Sequence, residues 1–431
     1  MISQLMRQLN IDSQVARALV TDYERFTLGL PPQLEEYVLE RYQLDLSSQY
    51  GGLPIKNPFG KGSGQLSLNL SQVKQDAQAG LGFVVLKTFI AQDASGNQSM
   101  SDWAIPETRM VVEHIKAADE QMGWTVTWKG RGWYDTFDAY LKFYGESLVV
   151  GRESGMIVAP SCKYHLPRHD ESEWKLAEYG YTTSLLLEVW QRHGPDGAMP
   201  IEKDFSPTLA GSDHAAQMST ILGWLSTVTG LIKHAARPRP VCVGLKIFNA
   251  VFADSFQLKM LGAINEKCTG DERPDFLVYA NRLFDPDREF DGVRGVAYGG
   301  PDLSARNLMV LARLRELEQR GEVQPCRIPI SATGNIESGR MAVEYLLRGA
   351  CSFQLHTYFQ LPASEYRMQR GGKTACALHE LYFNPERGLI AWLLHLRRLF
   401  DWPAEWNIKQ MADFCADPAN RLWNNHEPAL R

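Results

Sequence analysis

Short apolar runs alternate with amphipathic stretches along most of the chain from about Leu53. Runs of four to eight apolar residues predict buried strands, and apolar residues spaced three or four apart predict helices. The predicted strands are Phe83–Leu86, Met156–Ala159, Ser184–Val189, Val241–Ile247, Phe276–Tyr279, Arg327–Ser331 and Ser352–Leu355. The predicted helices are Leu70–Ala79, Asp213–His234, Phe256–Glu266, Ser304–Arg320 and Gly339–Leu347. This alternation indicates parallel β/α units, which form either a doubly wound sheet or a closed barrel.

The two ends of the chain have a different pattern, which is helical without intervening strands. In residues 1–50, Leu5, Met6 and Leu9 share one helical face, and in residues 363–431 the stretch Leu389–Leu399 has apolar residues at helical spacing. We therefore predict helical extensions on both sides of a β/α domain that spans residues 51–362. The N-terminal extension is a candidate cap or oligomer surface, and a homodimer is the assembly that we consider for it.

Composition narrows the class of protein. The 431 residues have a net charge of −5, which disfavours a nucleic-acid partner because phosphate binding needs clustered cations. The seven cysteines form no CxxC pair, so we expect no metal site, and their scatter suits reduced thiols in the cytoplasm. No apolar run approaches the roughly 20 residues that span a bilayer. We expect a cytoplasmic protein without a membrane span.

Glycine-containing turns late in the chain suggest a phosphate site. Gly60–Gly64 fits neither the dinucleotide fingerprint nor the P-loop. In contrast, Tyr298-Gly299-Gly300 precedes a predicted helix, and Thr333-Gly334-Asn335-Ile336 lies between a predicted strand and a helix. Such turns let backbone amides approach a phosphate closely, and β/α barrels bind phosphate with the loops after their late strands.

Several blocks occur in an order that is similar to a known family. They are Asn57-Pro58-Phe59-Gly60, Gly62-Ser63-Gly64, Gly80-Leu81-Gly82-Phe83, Leu86-Lys87-Thr88-Phe89, Gly244-Leu245-Lys246, Asp275–Asn281, Gly299-Gly300, Thr333–Ser338 and Gly349–Thr357. Together they span about residues 50 to 360 and resemble the FMN barrel of the dihydroorotate and dihydropyrimidine dehydrogenases. The resemblance implies a (β/α)₈ TIM barrel, an α/β fold, with FMN at the carboxyl ends of the strands.

The resemblance also implies roles for individual residues. Gly62 and Ser63 would line the flavin, Lys87 and Thr88 would lie near its reactive edge, and Lys246 would face its N1–C2=O side, where reduction places negative charge. Asn281 would contact cofactor and substrate. The predicted phosphate cradle consists of Gly299, Gly300, Gly334, Asn335, His356 and Thr357. The alternative for either lysine is a structural ion pair inside the barrel. Asn335 replaces a family glycine, which predicts a shifted turn.

The family's proton-transfer loop is the point at which the resemblance fails. That loop follows the fourth strand with a pattern like N-x-S-C-P, and the segment aligned with it is Glu188–His193, which lacks all three side chains. His193 becomes a candidate base, because a histidine pKa suits proton transfer at neutral pH; a surface loop histidine is the alternative. Glu188 and Arg192 become candidate substrate ligands. Lys87 and Cys162 are the other candidate catalytic residues, although Cys162 could be a small buried residue.

These observations favour an FMN-dependent oxidoreductase that moves hydride through flavin N5. The rebuilt loop points to a small, cyclic or amide-bearing substrate other than dihydroorotate, with an electron donor or acceptor that the sequence does not identify. One alternative is a barrel that binds FMN or a phosphate ligand without redox catalysis. The other is an atypical dihydroorotate dehydrogenase. Residues 194–212, rich in glycine and proline, form a candidate lid.

Overall fold

Sixteen strand segments and twelve α-helices are found in the part of the chain that a computed structural model describes, residues 8–205, 209, 217–420, 422 and 423. The strands are β1 (Ser48–Tyr50), β2 (Leu53–Ile55), β3 (Phe59–Lys61), β4 (Phe83–Val85), β5 (Phe89–Ile90), β6 (Ile105–Lys116), β7 (Met122–Arg131), β8 (Ile157–Ala159), β9 (Ser161–Lys163), β10 (Met199–Asp204), β11 (Val241–Lys246), β12 (Phe276–Tyr279), β13 (Leu283–Phe290), β14 (Val293–Tyr298), β15 (Ile330–Thr333) and β16 (Ala350–Leu355). The helices are α1 (Ser13–Arg25), α2 (Leu34–Tyr42), α3 (Leu70–Ala79), α4 (Phe137–Ser154), α5 (Leu176–His193), α6 (Met218–Ala236), α7 (Asp254–Lys267), α8 (Pro301–Gln319), α9 (Gly339–Leu346), α10 (Lys373–Phe383), α11 (Leu389–Phe400) and α12 (Ile408–Ala416).

The central sheet closes into a barrel of eight parallel strands. Its segments are hydrogen-bonded in the order β5-β9-β10-β11-β12-β15-β16-β3-β4-β8. β8 and β9 are two halves of one strand separated only by Pro160, and β5 continues β4. The two ends of the order therefore meet, and the barrel strands are β3, β4, β8–β9, β10, β11, β12, β15 and β16. The predicted (β/α)₈ TIM barrel is confirmed, and the doubly wound sheet is excluded.

The lower half of the barrel interior is apolar and aromatic. Tyr50, on the β1–β2 hairpin, stacks on Phe83 with ring centroids 4.0 Å apart and meets Phe276 edge-on at 5.2 Å. Gly244 makes room for this packing, since a Cβ there would lie 2.2 Å from the Phe276 ring. The hairpin therefore closes the end of the barrel opposite to the carboxyl ends of the strands, and polar chemistry is confined to the other end.

Helices from both ends of the chain pack on each other and on the barrel. Tyr23 of α1 stacks on His379 of α10 at 4.7 Å and hydrogen-bonds to Glu380 at 2.8 Å. Leu19, Leu378 and Ile408 belong to the same buried cluster as the outer layer of the barrel. Both predicted extensions contain helices, and their exact boundaries with the barrel domain stay a prediction.

Two antiparallel hairpins interrupt the β/α pattern at the carboxyl ends of the strands. The first, β6–β7, follows the second barrel strand, and the other, β13–β14, follows the sixth. Ion pairs join them, with Arg288 2.7 Å from Glu113 and Arg109 2.6 Å from Asp291. We call this pair of hairpins the cover.

One predicted strand is wrong, and the error affects the site. Ser184–Val189 lies within the helix α5, and the fourth barrel strand is Met199–Asp204. A short apolar run cannot distinguish a buried helix from a strand, and Leu185-Leu186-Leu187 was such a run. The true strand ends in Glu202-Lys203-Asp204, so it lacks the apolar signature. It also occupies the middle of the predicted lid, residues 194–212; of the remainder, 206–208 and 210–212 lie outside the described residues.

Candidate active site

A cavity lies at the carboxyl ends of the barrel strands, beneath the cover. Ten residues that the sequence analysis assigned to a flavin site line it together: Gly62, Ser63, Lys246, Asn281, Gly299, Gly300, Gly334, Asn335, His356 and Thr357. Eight of them come from the ends of five barrel strands, and Gly299 and Gly300 follow β14 of the cover. They are separated by up to 295 positions in the sequence (357 − 62), and the closed barrel brings them together because the carboxyl ends of all its strands meet at one face.

The remaining two predicted flavin residues lie next to this cavity. The Thr88 hydroxyl is 2.7 Å from the Ser63 hydroxyl and 3.0 Å from that of Ser161, so three strands are joined by one chain of hydroxyls. Lys87 is 5% exposed, and burial together with nearby Lys246 lowers its pKa to about 8. Lys87 therefore loses its charge at a lower pH than an exposed lysine does.

Lys246 projects into the barrel above a buried carboxylate. Its ammonium is 3.9 Å from Glu202, which also accepts hydrogen bonds from Tyr50 and Gln354. Burial raises the pKa of Glu202, and the positive charge of Lys246 opposes that rise. The pair fixes Lys246 at the cavity wall, so the ion-pair alternative holds for this residue and its role toward a cofactor stays a prediction.

The turns of the predicted phosphate cradle have the backbone geometry that their residues favour. Gly334 has φ +112°, a value that side chains with a Cβ rarely adopt, and Asn335 has φ +51°. Asparagine enters this left-handed region more easily than most residues, so it can stand where the family has glycine. Its side-chain amide donates to the Ser304 hydroxyl at 3.1 Å, which ties the turn to α8.

A buried amide network holds the strand ends around the cavity. Asn307 of α8 donates to the Ala280 carbonyl at 3.1 Å and to the Thr333 carbonyl at 3.0 Å, and it accepts from Asn249 at 3.2 Å. These contacts connect the ends of β11, β12 and β15. The cavity walls are thus positioned by a helix as well as by the sheet.

Positive charge dominates the cavity. Burial and the surrounding cations, Arg282 first among them, lower the pKa of His356 well below its usual value. His356 is therefore neutral at physiological pH. Because the amide nitrogen of Gln360 donates to its Nδ1 at 2.9 Å, the imidazole proton resides on Nε2. A neutral donor beside Lys246 and Arg282 suits an anionic ligand.

Two cavity residues that were not predicted from the sequence come from β7 of the cover and from the position directly before β13. Trp124 of β7 and Arg282 line the cavity, and the Arg282 guanidinium donates to the Thr125 hydroxyl at 3.1 Å and to the Val126 carbonyl. Burial lowers the pKa of Arg282 to about 9. One signal in the sequence could have identified Arg282: it is a charged residue next to Asn281, shortly after the strand that ends at Tyr279.

Three predicted residues do not belong to this site. Glu188, Arg192 and His193 lie at the carboxyl end of α5, and a helix that follows a barrel strand ends at the opposite face of the barrel. Glu188 and Arg192 form an exposed ion pair at 3.2 Å, and His193 packs against Gly145 of α4. They were assigned to the site because α5 was mistaken for the fourth strand.

Cys162 is also misplaced by the sequence analysis. Its neighbour Ser161 points into the barrel toward Thr88, so Cys162 faces the helix layer, where Tyr140 and Tyr179 lie nearby. Burial raises the pKa of its thiol, which keeps it protonated. Cys162 is a packed core residue, as the alternative interpretation held.

The corrected fourth strand moves the segment that should be compared with the family's N-x-S-C-P pattern. The residues after Asp204 are Phe205, Ser206 and Pro207. A serine followed by proline is therefore present where the sequence analysis reported none. Ser206 and Pro207 lie outside the described residues.

Comparisons with known proteins add the following. No family model matches the chain, and no curated protein matches it. Among solved structures, the crystal structure of DHODH from Eimeria tenella in complex with ferulenol is similar, at 15% sequence identity and a TM-score of 0.47, covering 87% of this chain and 92% of that one. At this identity and TM-score the likeness supports no functional argument. Separately, no helix of the described residues is long and apolar enough to cross a membrane, and no group of three or more potential metal ligands is found among them.

Proposed function

We propose that this protein is an FMN-dependent oxidoreductase that acts on a small metabolite other than dihydroorotate. One observation supports it above others: ten residues chosen from sequence blocks for a flavin site line a single cavity. Bound FMN would supply hydride transfer at N5. The protein's own residues would hold the cofactor, bury its reactive edge and balance its charge.

The cavity residues fit such a cofactor on physical grounds. The Gln354 side-chain oxygen is buried at the cavity without a hydrogen-bond partner, which leaves an acceptor for a ligand N–H. Lys246 and Arg282 offer cations to a phosphate or to negative charge that develops on the ring. Gly300 and Gly334, at φ +100° and +112°, give the turns beside the cavity a backbone path that side chains with a Cβ rarely adopt.

The cover would exclude water from the reacting groups. Trp124 lies over the cavity, and Arg282 is buried between β7 and the end of the sixth barrel strand. A closed, water-poor site strengthens every electrostatic interaction inside it. The cover therefore belongs to the proposed mechanism.

The experiment is to purify the protein and to identify the flavin that it releases on denaturation. We expect a yellow protein that releases FMN, not FAD. Lys246→Met should lower the flavin potential or reduce FMN content by roughly tenfold. The variant loses a favourable charge interaction with the cofactor of about 1.4 kcal/mol or more, and that energy corresponds to a factor of ten. Lys142→Met is the control, because it removes an exposed lysine of α4.

A colourless protein that cannot be reconstituted with FMN would contradict the proposal. The second candidate, a barrel that binds FMN without redox catalysis, is favoured by the displacement of His193 and Cys162 from the site. Anaerobically reduced protein separates the two, since an oxidoreductase is reoxidised by its substrate. Orotate should not be that substrate; rapid reoxidation by orotate would establish the atypical dihydroorotate dehydrogenase instead.

A further inference from the structure

A second group of charged residues lies on the other side of the barrel mouth, on the second to fifth strands. Asp204 of β10 is in register with Lys246 of β11. On its other side the last paired residues are Lys203 and Cys162, so the next residue of β9, Lys163, is the neighbour of Asp204 there. Side chains in register point to the same face of a sheet. Lys163, Asp204 and Lys246 thus form a row that points into the barrel, with Lys87 nearby on the second strand.

Lys163 is the unusual member of this row. It is 5% exposed, and the described residues place no carboxylate within ion-pair distance of its ammonium. Its contact is the Trp103 ring, whose centroid lies 4.7 Å from Nζ, and the Arg131 guanidinium lies 5.3 Å from the same ring. A buried ammonium normally has a carboxylate partner, because desolvation of an unpaired charge costs several kcal/mol.

Among the described residues, the lysines of this cluster outnumber its carboxylates. Lys87, Lys163 and Lys246 lie near Asp204 and, below it, Glu202, which is already paired with Lys246. Desolvation lowers the pKa of Lys163 to about 8, as it does for Lys87. Asp204 and Trp103 are only partly buried, so the cluster reaches the solvent at the mouth of the barrel.

We propose that Lys163, with Lys87 and the Arg131–Trp103 wall, binds an anionic group of the substrate, a carboxylate or a phosphate. The proposal rests on the proposed function in that it names the substrate class of the same site. An anion here would replace the missing carboxylate partner of Lys163. It would also set the ligand beside Lys246 and the predicted flavin edge.

The test measures ligand binding by calorimetry on the protein as purified, with benzoate, phenyl phosphate and the neutral analogue benzamide as probes. We expect benzoate or phenyl phosphate to bind at least tenfold more tightly than benzamide. Whichever of the two anions binds more tightly identifies the anionic group of the substrate as a carboxylate or a phosphate. Lys163→Met should weaken anion binding at least tenfold, whereas Lys142→Met, which removes an exposed lysine of α4, should leave it unchanged.

A measurement on the unmodified protein avoids dependence on the variant's folding. Anion affinity should fall as the pH rises through about 8, where Lys163 and Lys87 lose their charge. Equal binding of benzoate and benzamide, no loss in Lys163→Met, or a flat pH profile would each overturn the proposal. FMN content is determined on the same samples, so a protein that binds anions without flavin would contradict the proposed function and leave this inference supported.

Discussion

At the scale of single residues, the site depends on side chains that tolerate unusual surroundings. Asn335 adopts a positive φ where the family has glycine, and Lys246 is buried beside Glu202. Both residues are compatible with their positions in the fold. Each matches a physical property of the side chain, since asparagine enters the left-handed region and a buried ammonium is stabilised by a carboxylate.

The backbone of Asn335 allows a direct test. Asn335→Gly and Asn335→Ala both remove the hydrogen bond to Ser304, but only alanine is strained at φ +51°. We expect the alanine variant to be less stable than the glycine variant by about 1 kcal/mol. The free energy of unfolding in urea, measured for both variants, gives this difference. Equal stability would mean that the turn relaxes to another conformation.

At the scale of secondary-structure elements, Thr125 is one point at which the cover is attached to the rest of the site. The Thr125 hydroxyl accepts from the backbone N–H of Gly299 at 3.0 Å and from Arg282 at 3.1 Å. One side chain of β7 thus connects the first hairpin to the turn before α8 and to the sixth strand. Since these partners line the cavity, the attachment of the hairpin and the shape of the site are linked.

Replacement of Thr125 by valine should loosen this attachment. The N–H groups of Gly299 and Arg282 would lose a buried acceptor, at a cost of about 1–3 kcal/mol. We expect faster amide hydrogen exchange in the β6–β7 hairpin and at Gly299. Thr127→Val is the matched control, because the Thr127 hydroxyl is equally buried but donates to Glu113 within the same hairpin. Equal exchange in both variants would show that Thr125 has no special role.

At the scale of the whole molecule, charge is buried at one end of the barrel and an aromatic core fills the other. Lys203 of β10, which is in register with Cys162 and so lies on the helix-facing side of its strand, shows the energetic cost of a buried charge. It is fully buried, and its ammonium meets the Phe205 ring and the Asp204 carbonyl rather than a carboxylate. Desolvation, with the neighbouring charge of Lys163, lowers its pKa to about 7.

This depressed pKa predicts how stability changes with pH. The unfolded chain keeps the Lys203 proton up to its usual pKa of about 10.4, whereas the folded protein releases it near pH 7. Burial of Lys203 therefore destabilises the folded protein fully below pH 7. This destabilisation declines as the pH rises from 7 toward about 10.4, the pKa of Lys203 in the unfolded chain. Lys203→Met should be more stable than the natural protein by the largest margin at pH 6. Urea unfolding at pH 6, 8 and 10 checks this, and a margin that grows with pH would contradict it.

The sequence by itself determined the alternation of strands and helices, the helices near the chain ends and half of the residues around the cavity. Apolar periodicity and glycine turns are local properties, so they can be recognised in the sequence alone. The helix α3 and the strand β12 lie where the apolar pattern predicted them. The ordered blocks from Asn57 to Thr357 identified cavity residues because the ends of parallel strands share one face in a barrel.

Only the tertiary structure decided the fourth strand, the cover and the cation row. Met199–Asp204 ends in charged residues because its end forms the polar mouth of the barrel, and this hides it from an apolar pattern. The hairpins are long-range features, since Arg282 acquires its partners on β7 from about 157 positions away. The direction in which Cys162, Lys163 and His193 point follows from register and helix direction, which composition and spacing do not specify.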